Sequence, residues 1–257
     1  MLRAERLSLA GRLDDVSAAI HPGQITAIVG PNGAGKSSLL ACLAGLLAPD
    51  TGTVMVGESP LASLAPQTRA QAIGYLPQSP EVAWDVSVET LVALGRLPWR
   101  AGAESDREAI DTALTTMELE DLRQRPVSRL SGGERARALM ARVLAGQPGW
   151  ILADEPLAQL DLAHQQTLLG VLRGQAQAGA GVVMVMHGLA EAMNHADRAI
   201  VLFEGQLVAD GPPEAVLDTA TIRRAWGIEA RWLGEPGGRA LIVTSTSPSM
   251  GEGYQSL

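Results

Sequence analysis

Gly30, Pro31, Asn32, Gly33, Ala34, Gly35, Lys36 and Ser37 fall in the spacing G-x-x-x-x-G-K-[ST], with Ser38 following. That spacing suits the cradling of a polyphosphate. Glycines at 30, 33 and 35 let the backbone aim its N–H groups at an anion, and a helix opening at Lys36 adds the partial positive charge of its N-terminus. Lys36 brings a full charge to the β- and γ-phosphates, and the Ser37 hydroxyl suits ligation of Mg²⁺. A glycine turn ahead of an amphipathic helix, with Lys36 in solvent, is the plainer alternative. It would require none of these fixed positions.

Acids and amides elsewhere could complete a hydrolytic site. The apolar stretch from Trp150 ends in Asp154 and Glu155. Neighbours on a strand point to opposite sides, so the two acids are expected to divide the work. Asp154 suits the Mg²⁺ shell, and Glu155 suits the orientation of an attacking water; both could also be a solvated strand end. Leu130, Ser131, Gly132, Gly133 and Glu134 form a third group. Ser131 and Glu134 have the spacing of a capping box, and a helix start led by a serine and two glycines is also an anion site. Capping alone does not explain the paired glycine. Gln78, after Pro77, reads alone as a polar loop residue, and His187, closing the apolar run 182–186, reads alone as a structural histidine. Asp161 stands ahead of Leu162 as a helix N-cap would.

These groups need elements to position them. Strand patterns occupy 2–9, 16–20 and 24–30, and a helix is expected over 36–47. Between 85 and 146 the strand signals fade and 86–94, 105–117 and 134–144 read as helices. Strands at 150–153 and 182–186 then alternate with helices at 162–177 and 189–195, and strands at 199–203 and 206–209 turn at Glu204 and Gly205. Such alternation predicts a parallel sheet covered by helices on both faces. A helix over 214–226 and a segment over 231–243 close the fold, and the Ser/Gly/Pro-rich 244–257 should fray.

Composition excludes several classes. With 28 acidic against 20 basic residues the net charge is −8, against a strongly basic nucleic-acid binder. One Phe, two Tyr and five Trp leave little for a single-strand stacking platform. Trp84, Trp99 and Trp226 are candidate partner contacts, although burial is the commoner use of a Trp. Cys42 is the only cysteine, which excludes an intrachain disulfide and a thiolate zinc cluster and fits a reducing compartment. Residues 1–6 lack the pattern of a secretory leader. The charge-free 16–35 is interrupted by Pro22, Gly23 and Pro31, and 39–48 is half the length of a bilayer span, which needs about 20 apolar residues.

In their order along the chain, the loop 30–37, Gln78, the 130–134 segment, Asp154 with Glu155, Asp161 and His187 resemble the nucleotide-binding subunit of ABC transporters. The resemblance covers nearly the whole chain. It implies an α/β fold: a P-loop ATPase core with a mostly parallel sheet, an antiparallel β subdomain and an inserted α-helical subdomain. One ABC ATPase domain would span 1–245, with the nucleotide-binding core in about 1–84 and 147–230, the helical subdomain in about 85–146, and a flexible tail over 246–257.

The resemblance also implies ATP and Mg²⁺ as cofactors. Lys36, Gln78, Glu155 and His187 match the catalytic positions, and Ser37, Gln78 and Asp154 those at the metal. Residues 30–38 of one copy would hold the nucleotide, closed over by Ser131, Gly132, Gly133 and Glu134 of the other, with Asp161 aligning this homodimer. An integral membrane permease would dock on the 86–119 helices and the Gln78 loop, and an extracytoplasmic substrate-binding protein would act indirectly through it. That places the chain in the cytoplasm, peripheral on the inner face of the cell membrane, with no nucleic-acid partner.

Within the family, segments 75–84, 87–89, 94–96, 160–165, 209–214 and 227–230 resemble the ATPase subunits of importers for iron-siderophore complexes, haem and cobalamin. ABC ATPases that power export or lipid extraction share the catalytic motifs, and soluble non-transport ABC ATPases are a further alternative. Three departures stand out. Residues 7–13 hold no aromatic that could stack on adenine, Gly188 follows His187 where Asp is common, and 157–160 lacks the usual Thr or Ser after Pro156. None removes a catalytic group.

Overall fold

The computed structural model describes residues 1–78, 85–99 and 102–246. The chain opens with an antiparallel pair, β1 (Leu2–Leu9) and β2 (Leu13–Ile20), whose buried residues include Leu2, Ala4 and Leu7 opposite Val16, Ala18 and Ile20. One face packs inward and the other meets solvent, as alternating sequence requires. β3 (Ile25–Val29) is buried at every position, the mark of a central parallel strand. α1 (Lys36–Leu43) follows and ends before the expected residue 47. There Gly45 adopts a φ of 68° and the Leu46 N–H turns back to the Ala41 carbonyl.

Segments without a strong pattern come next. β4 (Thr51–Val56) joins β1, and β5 (Ser59–Pro60) joins β4, giving a four-stranded antiparallel sheet in the order β2-β1-β4-β5. α2 (Pro66–Ala72) leads into β6 (Ile73–Leu76), the edge of the main sheet. The sequence reading did not anticipate these elements. β4 buries only Val54 and β6 is four residues long, so neither carries a readable period.

α3 (Val88–Ala93), α4 (Ala103–Thr116) and α5 (Gly132–Ala145) then form a helical insertion, and their buried residues Leu91, Leu114 and Met140 share one core with the sheet. β7 (Trp150–Asp154), α6 (Leu162–Gln177), β8 (Gly181–Val185), α7 (Leu189–His195), β9 (Arg198–Phe203) and β10 (Gln206–Gly211) complete a six-stranded sheet of order β10-β9-β3-β8-β7-β6, antiparallel only at β10. The helix expected over 214–226 is two, α8 (Pro213–Val216) and α9 (Thr219–Trp226), because Asp218 interrupts it and caps α9 through the Thr221 N–H at 2.7 Å. The segment expected to close the fold is a hairpin, β11 (Ile228–Leu233) with β12 (Ala240–Thr246). Residues 244–246, expected to fray as the start of the tail, instead complete β12, while the candidate partner contact Trp84 and the rest of the expected tail, 247–257, lie outside the described residues.

Strand alternation divides the interior in two. Ala27, Ala153 and Met184 face the helical insertion and α6, while Ile28, Leu152 and Val185 face α1 and the antiparallel sheet. α1 is thereby held between two sheets, with its N-terminus at the carboxyl ends of the parallel strands, where open α/β sheets bind ligands.

Arg96 fastens the insertion. It is buried, donates from Nε to Asp106 at 2.8 Å and from Nη1 to the Ala145 carbonyl at 3.0 Å and Gln147 Oε1 at 3.1 Å, and lies 5.0 Å from the Trp99 ring centre. Trp99 in turn donates to the Gly146 carbonyl at 2.7 Å. Removing one partner of such a network strands the others in a poorly solvated site. Arg96→Ala should therefore cost about 3 kcal/mol of unfolding free energy, read from urea midpoints. Arg96→Lys should recover less than half, since an ammonium lacks the guanidinium fork.

Candidate functional site

Two glycines allow the loop between β3 and α1 to sit where it does. A β-carbon on Gly30 would stand 2.2 Å from the Leu202 carbonyl oxygen of β9, and one on Gly35, whose φ is 96°, would stand 2.4 Å from the Arg12 carbonyl oxygen. The loop is pressed between β9 and the β1–β2 turn. Its N–H groups and the first turn of α1 then face a common cleft.

Lys36 is buried and curls back over this loop, donating from Nζ to the Gly30 carbonyl at 2.8 Å and the Pro31 carbonyl at 3.0 Å. Burial pulls its pKa down, opposed by the charges of Glu155 and Asp154. Ser37 Oγ donates to Asp154 Oδ1 at 3.2 Å across the base of the cleft. Burial pushes the Asp154 carboxyl up, against the Ser37 hydrogen bond and the pull of Lys36 and His187, while Glu155 adds to the rise. No group of three or more His, Cys, Asp or Glu suited to a metal occurs among the described residues. One buried carboxylate beside a serine hydroxyl is nonetheless the donor set that fits Mg²⁺, which takes few protein ligands and completes its shell with phosphate oxygens and water.

Glu155 does not continue the strand. Its φ is +52°, a left-handed conformation uncommon outside glycine. The expectation that strand alternation separates Asp154 from Glu155 therefore holds in outcome but not in cause, since it is this turn that swings the Glu155 side chain into the cleft. The turn is secured by the Glu155 N–H donating to the Val185 carbonyl at 3.2 Å. Gln78 Nε2 donates to Glu155 Oε2 at 2.8 Å, and His187 Nε2 lies 2.5 Å from Oε1. Both carboxylate oxygens are oriented, and the group keeps lone pairs for a water's proton.

Gly11, Arg12, residues 32–38, Gln78, Glu155 and His187 line an open cleft of about 580 Å³, a size that admits a nucleotide. The structure thus brings together the phosphate-loop residues, Gln78, Glu155 and His187, with Asp154 beneath them. It places Ser131, Gly132, Gly133, Glu134 and Asp161 outside that lining. Ser131 and Glu134 do form the capping box, at 2.8 Å and 3.2 Å, and the Ser131 N–H bond holds the Glu134 carboxyl below its ordinary range. Asp161 caps α6 through the His164 N–H at 2.9 Å. Gly11 and Arg12 fall in the 7–13 stretch that lacks an aromatic, but the motifs do not single them out as site residues, and it is the fold that makes their turn a wall of the cleft. Nor does sequence reveal that Glu191 fills the space over Gly188, where a β-carbon would fall 1.6 Å from Glu191 Oε2.

The family described as ABC transporter matches residues 13–158. The hemin import ATP-binding protein HmuV of Rhodococcus jostii is 40% identical over 248 residues, covering 94% of this chain and 85% of that protein. Its namesake from Pseudomonas putida is 40% identical over 254 residues, covering 95% of this chain and 100% of that one. Among solved structures, a dimeric ATP-binding cassette in a post-hydrolysis state bound to ADP and Pi aligns with a TM-score of 0.76 at 25% identity, covering 83% of this chain and 99% of its own.

The raised Asp154 pKa has a measurable sign. The fold binds this proton more tightly than the unfolded chain does, so the Asp154 contribution to stability is present at low pH. It is lost as pH rises through the ordinary carboxylate range and the raised folded value. In urea titrations without nucleotide, from about pH 4 to neutrality, the stability of Asp154→Asn minus that of the native chain should grow with pH. Added Mg²⁺ and ATP should stabilise the native chain and not the variant. A flat difference would remove the assignment of a buried, metal-poised carboxylate.

Proposed function

The chain belongs to the ABC transporter family as an Mg²⁺-dependent ATP-hydrolysing cassette, and from that premise we propose that it powers import of haem or a related iron or cobalt chelate. The observation that carries the substrate class is the near end-to-end identity of 40% with proteins named for hemin import. The hydrolytic part of the reading rests on the bracketing of Glu155 by Gln78 and His187.

In this reading the backbone of 33–38 and Lys36 grip the ATP phosphates, and Ser37 and Asp154 hold the metal, which when bound neutralises charge on the phosphate oxygens. Glu155 orients a water in line with the γ-phosphorus and takes its proton while the bond to the bridging oxygen breaks and ADP leaves. His187 faces the γ-phosphate, and Gln78 couples that event to the helical insertion. Two copies close on two nucleotides, each capped by Ser131, Gly132, Gly133 and Glu134 of the other, with Asp161 at their seam. Among the described residues no helix is long and apolar enough to cross a membrane. The translocation path is assigned to permease subunits docked on 86–119 and the Gln78 loop at the inner face of the cell membrane. An extracytoplasmic substrate-binding protein would deliver the ligand to them. The organisation proposed is a core in about 1–84 and 147–230 with the helical subdomain in about 85–146.

Glu155→Gln should bind ATP with Mg²⁺ yet hydrolyse it at least a hundredfold more slowly, the scale of losing a general base, roughly 10²–10⁴. It should also elute as a dimer in ATP by size-exclusion chromatography. Unchanged turnover would end the assignment of Glu155. Solubilised membranes from cells carrying tagged Glu155→Gln, captured in ATP and Mg²⁺, should yield a multi-helix permease without its own ATPase domain. Recovery of a lipid- or drug-exporting partner would reverse the proposed direction of transport.

A further inference from the structure

α7 starts differently from α3, α5, α6 and α9. Ser87, Ser131, Asp161 and Asp218 stand at the N-caps of those four helices, and each side chain accepts the N–H three residues further on. α7 starts at Gly188, which has no side chain to accept that bond. The place is filled from the other direction. A β-carbon on Gly188 would fall 1.6 Å from Glu191 Oε2 and 2.4 Å from the Glu191 carboxyl carbon, so this carboxylate occupies the volume in which a side chain at 188 would begin. Glu191 is also the acid of the first turn, where negative charge meets the positive end of the helix.

The residue before this N-cap is His187. Its Nε2 lies 2.5 Å from Glu155 Oε1, and its side chain is half exposed. Close packing does not fix it, because Glu155, His187, Gly188 and Glu191 border a cavity of about 180 Å³. The backbone is tied before His187, where the Met186 N–H donates to the Ile28 carbonyl at 3.0 Å, and after it, where the Gly188 carbonyl accepts from the Ala192 N–H at 3.2 Å. Gly188 has the widest backbone freedom of any residue type, and it sits directly beside the histidine that must stay in place. A carboxylate seated against it restricts that freedom.

We infer that Glu191 is a positioning residue for hydrolysis: by filling the side-chain space of Gly188 it holds the turn from β8 into α7 in the conformation that sets His187 against Glu155. The inference rests on the reading of Glu155 as the group that orients the water and of His187 as the group facing the γ-phosphate. His187 and Glu155 line the nucleotide cleft, whereas Gly188 and Glu191 are absent from that lining. Glu191 therefore acts on turnover through His187 and not on the grip of the nucleotide.

Steady-state ATPase kinetics on a set of variants test this. Glu191→Ala should lower kcat roughly tenfold, within the loss of up to about a hundredfold that slight misplacement of reacting groups produces, and leave KM for Mg²⁺·ATP unchanged. Gly188→Ala, whose methyl displaces the carboxylate without removing it, should do the same. Gly188→Asp added to Glu191→Ala should restore most of the native turnover, since an N-cap aspartate can fix the turn from its own side, as Asp161 and Asp218 do on their helices at 2.9 Å and 2.7 Å. In a His187→Ala chain, Glu191→Ala should cause no further loss. Native turnover in Glu191→Ala or Gly188→Ala, a raised KM, failure of the aspartate rescue, or losses that multiply in the double variant would each overturn the positioning role. Simple misfolding cannot imitate the expected pattern, because it would lower turnover equally with and without His187. If His187→Ala alone hydrolyses ATP at the native rate, the reading of His187 itself falls and Glu191 falls with it.

Discussion

The close approach of two carbonyl oxygens to the phosphate loop is the constraint on which the rest of the site depends. With Leu202 on one side of Gly30 and Arg12 on one side of Gly35, neither position has room for a β-carbon. The loop is consequently shaped by β9 of the main sheet and by the β1–β2 turn of the antiparallel one. Both sheets must be docked before the N-terminus of α1 can face the cleft. The antiparallel sheet thus forms a wall of the proposed nucleotide cleft, and the core it shares with α1, through residues such as Leu7, Val16, Leu39 and Leu43, bears on the shape of that cleft.

A second constraint acts at the end of β7. Holding a glutamate at a positive φ costs of order a kilocalorie or more, and such residues persist only where surrounding structure over-determines them. Here the surroundings are the Val185 carbonyl behind the backbone and Gln78 and His187 on the two carboxylate oxygens. Gln78 follows β6, Glu155 follows β7 and His187 follows β8, three adjacent parallel strands. The carboxylate is therefore aimed by the carboxyl edge of the sheet, and its position reports the relative placement of those strands. Asp154, still within β7, stays buried beside Ser37. Two neighbouring acids acquire different environments from a single backbone turn, one suited to a cation and the other to a proton.

What could be read beforehand was whatever sequence spacing alone encodes. The fixed positions of the phosphate loop, the capping box at Ser131 and Glu134, the N-cap at Asp161 and the buried runs of β3, β7 and β8 are local patterns, and local energetics produces them wherever they occur. Features made by tertiary contact left no such trace. β6 has four residues and is a strand because β7 pairs with it, and α1 stops at Leu43 because Gly45 reverses the chain. Arg12 reaches the cleft because a turn remote in sequence from Glu155 is stacked on Gly35. The carboxylate of Glu191 over Gly188 is a comparable case. Gly188 stands where Asp is common in the family, and the Glu191 carboxylate from the first turn of α7 occupies the space beside it.

The segment at 130–134 shows how a residue type with no internal explanation carries information. Gly132 and Gly133 open α5 with ordinary negative φ values, and a β-carbon would meet nothing within 4 Å at the first and nothing nearer than 3.8 Å at the second. Glycine within a helix costs up to about 1 kcal/mol relative to alanine, and among the described residues no close contact at either position offsets that cost. Ser131 and Glu134 already satisfy the capping requirement. The phosphate cleft of the same chain is lined without these residues. On the proposed reading the missing constraint lies outside the protomer, because a bare helix N-terminus with its serine hydroxyl and unobstructed backbone N–H groups can press directly on phosphates held by a second copy. The chain then contains two half-sites that cannot meet each other, and hydrolysis is tied to association because neither half encloses the nucleotide alone.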